Sequence, residues 1–263
     1  MRAFLRALAL IAAVFSAPAQ AEEVACLSHV AENTGPFRII KAALKAEEVS
    51  LTFVGHSTFL IESAKGVRIA TDYNDYVKPN AIPDIATMNR AHDTHFTHNP
   101  DKRITHVLRG WSDSGPRAVH DLTFHDVRVR NVPTNIRSYN GTERYGNSIF
   151  VFEIAGLCIA HLGHLHHTLT PEHLKAIGQF DIVMVPVDGS FTMDQDGMME
   201  VLDTLGAKLM IPMHYFGQST LSRFLEKTGE RYEIKRNATN NTVVSRESLP
   251  AKPTVLVLPG RHF

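Results

Sequence analysis

The chain lacks most of the features that place a protein quickly. It has 263 residues and only two cysteines, too few for the scaffold of about two to four bridges that holds small secreted domains together. Beyond the first residues no apolar run approaches the ~18 residues that a membrane span needs, so no membrane partner is expected. Neither sign of charge is in excess: 27 Lys and Arg balance 27 Asp and Glu. That removes the electrostatic argument for nucleic acid or an anionic lipid surface. There is no repeat of solenoid length and no low-complexity segment. What remains is a globular chain, and the sequence is silent on its oligomeric state.

The N-terminus reads as a targeting segment. Arg2 and Arg6 form a basic start, Ala7 to Phe15 is a short apolar stretch, and Ala19-Gln20-Ala21 is a small-x-small cleavage site. These three parts, in this order, are those of a secretory signal peptide over residues 1–21. Residues 22–263 are then one domain, periplasmic or secreted. In such a compartment Cys26 and Cys158 are free to pair. Cys158 lies in the apolar run Leu157-Cys158-Ile159, which favours a buried free thiol over a bridge.

The first half of the chain is mostly β. Ser50 to Ile61 alternates and is rich in β-branched and aromatic residues, and Val67 to Thr71 follows a short turn. Together they predict two strands. Asp84 to Met88 and Ile104 to Leu108 are further strands, Asp121 to Val132 alternates, and Asn147 to Ala160 is a hairpin turned at Ala155-Gly156. The second half alternates. A helix starts at Thr170-Pro171-Glu172, with Thr as N-cap and Pro first inside. Strands are expected at Asp181 to Pro186, Leu209 to Pro212 and Thr254 to Leu258, and helices at Thr192 to Leu205 and Thr220 to Lys227. Two sheets packed face to face with helices outside fit this order.

Histidine is what the chain has in quantity: 15 residues. His92 and His95, His161 and His164, and His214 each follow an apolar run, so they gather at strand ends. Neutral imidazole is the commonest side-chain ligand for zinc-like metals. Around them stand Val54-Gly55-His56-Ser57, Thr71-Asp72, Arg144-Tyr145-Gly146-Asn147, Ala160-His161-Leu162-Gly163, Val185-Pro186 and Ile211-Pro212-Met213-His214-Tyr215.

This ordered set resembles the metallo-β-lactamase superfamily, in its ascorbate-6-phosphate lactonase-like branch, from about Leu51 to Tyr215. The resemblance implies an α/β protein with an αββα four-layer sandwich. It also implies a hydrolase acting on a small ester, lactone or phosphodiester through a metal-activated water. The family signature His-x-His-x-Asp-His falls on Arg90, His92, Thr94 and His95, so one histidine has become Arg and the aspartate Thr. A further family histidine, near Pro133-Thr134, has no counterpart at Asn135 or Ile136, and the bridging aspartate falls on His164. A guanidinium does not ligate, and threonine is a poor substitute for carboxylate. The resemblance therefore implies one divalent ion, zinc, on His92, His95, His164 and His214, with His161 beside the site.

Asp93 and Asp188 are placed to act as base or to orient a ligand, and Arg90 to neutralise a developing anion or hold an anionic substrate. His56 reads as a buried hydrogen-bonding residue, His166 and His167 as a polar surface loop, and His98 as an outlying candidate. Trp111 reads as packing or pocket lining, and the methionines as core filler rather than copper ligands. The alternative to an enzyme is a binding or scaffold protein that keeps the fold and a degenerate metal site. Arg90 and Thr94 favour it; three well-placed imidazoles oppose it.

Overall fold

The computed structural model describes residues 43–113 and 117–260. The expected signal peptide and Cys26 lie outside them. Among the described residues no helix is long and apolar enough to cross a membrane.

Two sheets form the body. The first has the order β13-β1-β2-β3-β4-β5, from β1 (Val49–Gly55), β2 (Thr58–Ser63), β3 (Arg68–Ala70), β4 (Ile85–Met88), β5 (His106–Arg109) and β13 (Asn241–Val244). The second has the order β12-β14-β11-β10-β9-β8-β7-β6. Its strands are β6 (Asp121–Phe124), β7 (Val127–Ser138), β8 (Gly141–Ile154), β9 (Leu157–His161), β10 (Ile182–Pro186), β11 (Leu209–Met213), β12 (Glu233–Arg236) and β14 (Thr254–Val257). Among the described residues three helices, α1 (Pro171–Ile177), α2 (Gln195–Leu205) and α3 (Gln218–Thr228), lie in the second half of the chain. This is the expected two-sheet α/β architecture.

Strand alternation decides which face meets the core. Val49, Leu51, Phe53, Phe59, Ile61, Ile69 and Ile85 of the first sheet join the main core cluster. Their neighbours point the other way: Val54 and Leu60 pack with Val77, and Ala70, Ala86 and Met88 pack with Tyr73, Ile104 and Trp111. Among the described residues it is loop residues, not a helix, that cover this outer face. The middle strands β9, β10 and β11 are buried at every position, as expected for parallel strands covered on both sides. Leu202, Phe224 and Leu225 of α2 and α3 enter the same core. The methionines expected as filler, Met184, Met193, Met198, Met199, Met210 and Met213, are all in it.

Several local expectations change. The opening strand does not run unbroken to Ile61. It folds back as a hairpin between β1 and β2, with Gly55 at φ 146° and His56 at φ 52°. Asp121 to Val132 is likewise two strands, broken at His125 (φ 54°). The hairpin at Ala155-Gly156 and the Thr170 cap with Pro171 inside the helix stand as expected. Cys158 is not the free thiol its apolar surroundings favoured: it is disulfide-bonded.

Phe59 is fully buried between the sheets, 4.8 Å from Phe53 ring to ring. Phe59→Ala should lower unfolding free energy by about 3–5 kcal/mol in a urea titration. Tyr139→Ala, whose ring is fully exposed, should stay within about 0.5 kcal/mol.

Candidate metal centre

The site forms where strands from both sheets end. His56 sits in the turn after β1, Asp72 just after β3, and His92 and His95 in the loop after β4. His164 follows β9, Asp188 follows β10 and His214 follows β11. The two sheets are tied here directly, because the His214 backbone N–H donates to the His56 carbonyl at 2.7 Å. His56, Asp72 and His214 all have positive φ, at 52°, 42° and 54°, a conformation that costs a non-glycine residue about 1–2 kcal/mol. Strain of this kind gathers at functional sites.

The ligand-capable nitrogens of His56, His92, His95 and His214 all lie within 4.8 Å of one another. His164 joins them: its Nε2 is 3.1 Å from His92 Nε2, and its ring centroid is 4.8 Å from those of His95 and His214. The four expected ligands therefore come together. His56 comes with them, where the sequence suggested only a buried hydrogen bond. The usable signal for His56 was the Gly-His-Ser triplet, which marks a turn and not mid-strand.

Each of two rings is held from behind by a carboxylate. His95 Nδ1 is 2.5 Å from Asp72 Oδ2, and His214 Nδ1 is 3.0 Å from Asp188 Oδ1. A carboxylate accepts, so the proton sits on Nδ1 and Nε2 carries a bare lone pair. Yet His95 Nε2 and His214 Nε2 are 3.1 Å apart. Two acceptors at that distance repel unless an electrophile lies between them. Two imidazoles on one zinc place their nitrogens about 2.9–3.4 Å apart, from Zn–N bonds of about 2.0–2.1 Å. A proton is the poorer filler, because burial, then His214, hold His95 well below the ordinary histidine value. The donor set fits a metal.

Asp188 is caged. It accepts from the backbone N–H groups of Ser190 at 2.9 Å, Phe191 at 2.5 Å and Thr192 at 3.2 Å, and from the Thr192 hydroxyl. Burial raises its pKa, but the hydrogen bond from His214, with those donors, outweighs burial and lowers it. Of its two expected roles this geometry suits the orienter and not the base. Asp72, absent from the sequence-based site, has the same function for His95. Its Oδ1 accepts from Asn89 Nδ2 at 3.0 Å, and Asn89 Oδ1 accepts from Ser148 N at 2.7 Å. Gly163, at φ 59°, leaves the space in which Asn89 and Asn147 sit, since a Cβ there would collide with both.

The other expected residues stand further out. Asp93 is exposed and accepts from the Tyr76 hydroxyl at 2.8 Å. Arg90 pairs with Asp113 at 3.3 Å and Glu143 at 3.2 Å, so its charge is already met by two carboxylates. It lines a cleft of about 340 Å³ with Phe96, His98, Arg109, Trp111 and Asp113. The loop that carries His92 and His95 thus supplies that cleft too. Thr94, in the aspartate's place, bridges His92 Nδ1 at 2.7 Å and His56 Nε2 at 3.0 Å. His161 stands beside the site, with Nε2 on the Ser57 carbonyl at 2.8 Å and Nδ1 accepting from Gly163 N at 3.2 Å.

The histidines fix a pH dependence. Burial is the largest cause of lowering for His56 (to about 2), His92, His95, His161 and His164. Between such a value and 6.5 the unfolded chain binds the extra proton, so stability is full above about 6.5 and falls with pH. Asp72, raised by burial, opposes this above the ordinary carboxylate value. Chelator-treated protein should lose stability as pH falls below about 6.5, through the fully buried His95 and His161, whose rings burial keeps from protonating in the folded state. Urea midpoints from pH 7.5 to 5 measure it; a flat profile would contradict neutral buried rings.

Comparison with known proteins agrees with this geometry. Residues 50–214 match the family model described as "Beta-lactamase superfamily domain". A UPF0173 metal-dependent hydrolase of Thermoplasma acidophilum is 26% identical over 190 residues, covering 64% of this chain and 84% of that one. One of Methanosphaerula palustris is 28% identical over 185 residues, covering 63% and 83%. A crystal structure from Thermotoga maritima, of a protein of the metallo-β-lactamase superfamily, superposes with a TM-score of 0.58 at 29% identity, covering 81% of this chain and all of that one. With the family model matched over more than half of the chain, and these two sheets meeting at a histidine-lined end, the protein belongs to the metallo-β-lactamase superfamily.

Proposed function

We propose that the protein is a metal-dependent hydrolase of a small ester, lactone or phosphodiester, using one zinc ion held by His56, His92, His95 and His214. The observation that carries this reading is the pair of bare Nε2 atoms on His95 and His214, 3.1 Å apart and each backed by a carboxylate. Neutral imidazoles are the donors that zinc takes in hydrolytic sites. When bound, the metal supplies Lewis acidity and a nucleophilic water at neutral pH.

The chain's own residues do the rest. Asp72 and Asp188 hold the rings of His95 and His214 in one tautomer, which raises their basicity as ligands. The cleft beside the His92–His95 loop brings Arg109 and His98 with the rings of Phe96 and Trp111, and Arg90 would exchange its pairing with Asp113 or Glu143 for a substrate anion. That lining suits a small anionic molecule with an apolar body. The substrate class follows by analogy with the superfamily and with relatives described as metal-dependent hydrolases. Export to the periplasm or beyond is part of the same proposal. It is supported by the signal-like residues 1–21 and by the disulfide at Cys158, which an oxidising compartment permits.

Protein purified without chelator or affinity tag should contain about one equivalent of zinc, and His214→Ala should contain none. Two equivalents would show that Arg90 and Thr94 do not prevent a second site. No metal after incubation with zinc, manganese or iron would remove the hydrolase reading in favour of a binding protein. Arg90→Ala should lower kcat/KM for an anionic chromogenic phosphodiester about tenfold relative to a neutral ester, the worth of one charge-assisted contact. An unchanged ratio would take Arg90 out of substrate binding.

A further inference from the structure

One chain of hydrogen bonds enters the site from the surface, and its direction is fixed by an arginine. Arg137 of β7 donates from Nη2 to the carbonyls of Ser190 at 3.1 Å and Thr192 at 2.5 Å. Its Nε, which carries a proton and cannot accept, is 3.1 Å from His166 Nδ1. His166 Nδ1 must therefore be bare, and the ring's one proton lies on Nε2. That Nε2 is 2.6 Å from His164 Nδ1, which must accept it. The proton of His164 is then on Nε2, and His164 Nε2 points at His92 Nε2, 3.1 Å away. The His164 backbone is pinned by its own N–H, which donates to Asn147 Oδ1 at 2.7 Å.

We propose that His164 is a fixed N–H donor of the site and not a metal ligand, with its tautomer imposed by Arg137 through His166. This reverses the expectation drawn from its place in the family pattern. The site then holds two classes of imidazole. His95 and His214 are set by carboxylates and present bare lone pairs, so they accept a cation. His164 is set by a guanidinium and presents a proton. The same polarity runs on: His92 accepts from His164 and donates from Nδ1 to Thr94 Oγ1 at 2.7 Å, and Thr94 donates to His56 Nε2 at 3.0 Å.

The two residues that replace family aspartates, Thr94 and His164, are thus joined in one relay of donors. A cation taken up on the His92 and His56 lone pairs competes for the atoms that His164 and Thr94 now serve. Loading then frees the His164 N–H for an oxygen of an ester or phosphate in the site. Only this last step rests on the hydrolase reading. Arg137 and His166 are positioning residues, acting through His164.

The test is the tautomer itself. Long-range 1H–15N spectra of the full chain, labelled at histidine and stripped of metal, should show His164 with the proton on Nε2 and His95 and His214 with it on Nδ1. Arg137→Ala should release His166 and turn His164 to a mixed or Nδ1–H state, while His95 and His214 keep their signals as the check that the site is still folded. Zinc titration adds a second reading. His164→Gln should bind no more weakly than the wild type, because His164 competes with the cation for His92, whereas His95→Ala should lose more than the roughly 10–100-fold that an outer-shell change costs. A wild-type His164 with the proton on Nδ1 would overturn the proposal. So would a His164→Gln protein that loses zinc as His95→Ala does. A wild type that takes up no metal but shows His164 protonated on Nε2 would overturn the hydrolase reading and leave this one standing.

Discussion

A neutral imidazole carries one proton on two nitrogens, and the site depends on where each ring is made to keep it. Five rings converge in one small, largely buried space. Without fixed tautomers such a cluster is a set of interchangeable donors and acceptors. The fold removes that freedom from outside. Asp72 and Asp188 set His95 and His214 one way, and Arg137 sets His164 the other way through His166. The lone pairs of the first two rings then have nothing to bind but a cation, and that is the physical content of a metal centre before any metal arrives.

Holding the carboxylates in place has its own cost. Asp72, His56 and His214 adopt left-handed backbone, and Asp72 is fully buried. The compensation is spread over the strand ends. Asp72 receives Asn89, Asn89 receives Ser148, and Asp188 receives three backbone N–H groups and a hydroxyl. The large core behind the site holds those strand ends still. The site is therefore bound to the sheet interface: His56 comes from one sheet and His214 from the other, and one backbone hydrogen bond joins them.

How much of this was legible in the sequence varies by element. The buried strands β9, β10 and β11 were plain, because a run such as Ile182–Pro186 is apolar at every position and short. The Thr170 cap was plain because Thr-Pro-Glu is a local signal. The break at Gly55-His56 was missed because the residues on either side share one alternation, and a two-residue turn hides within it. β12 was missed for the opposite reason: all four of its residues are exposed, so no pattern marks it. The histidines were found from their places after apolar runs. Their tautomers were not, since Arg137, Asp72 and Asp188 act across 29, 23 and 26 residues of chain, and composition says nothing of such pairings.

The number of ions the site suits follows from charge. Paired divalent cations in hydrolytic sites stand about 3.5–4 Å apart. At an effective dielectric of 20 their repulsion is roughly 16 kcal/mol at that distance, four times that of unit charges. Anionic ligands between them must offset it. Here the positions that would supply those anions hold Thr94 and His164, both neutral and both engaged in hydrogen bonds to neighbouring rings. Asp72 and Asp188 remain, but each spends its charge on the far side of a ring, one carboxylate per ligand. Two carboxylates balance one divalent cation and leave nothing for a second. On the proposed single-ion reading the metal would sit among imidazoles alone, with no anion in direct contact to blunt its pull on an oxygen. Arg90, held by Asp113 and Glu143, adds no positive charge to that balance. On the proposed reading, a site with Thr94 and His164 at these positions suits a single divalent ion.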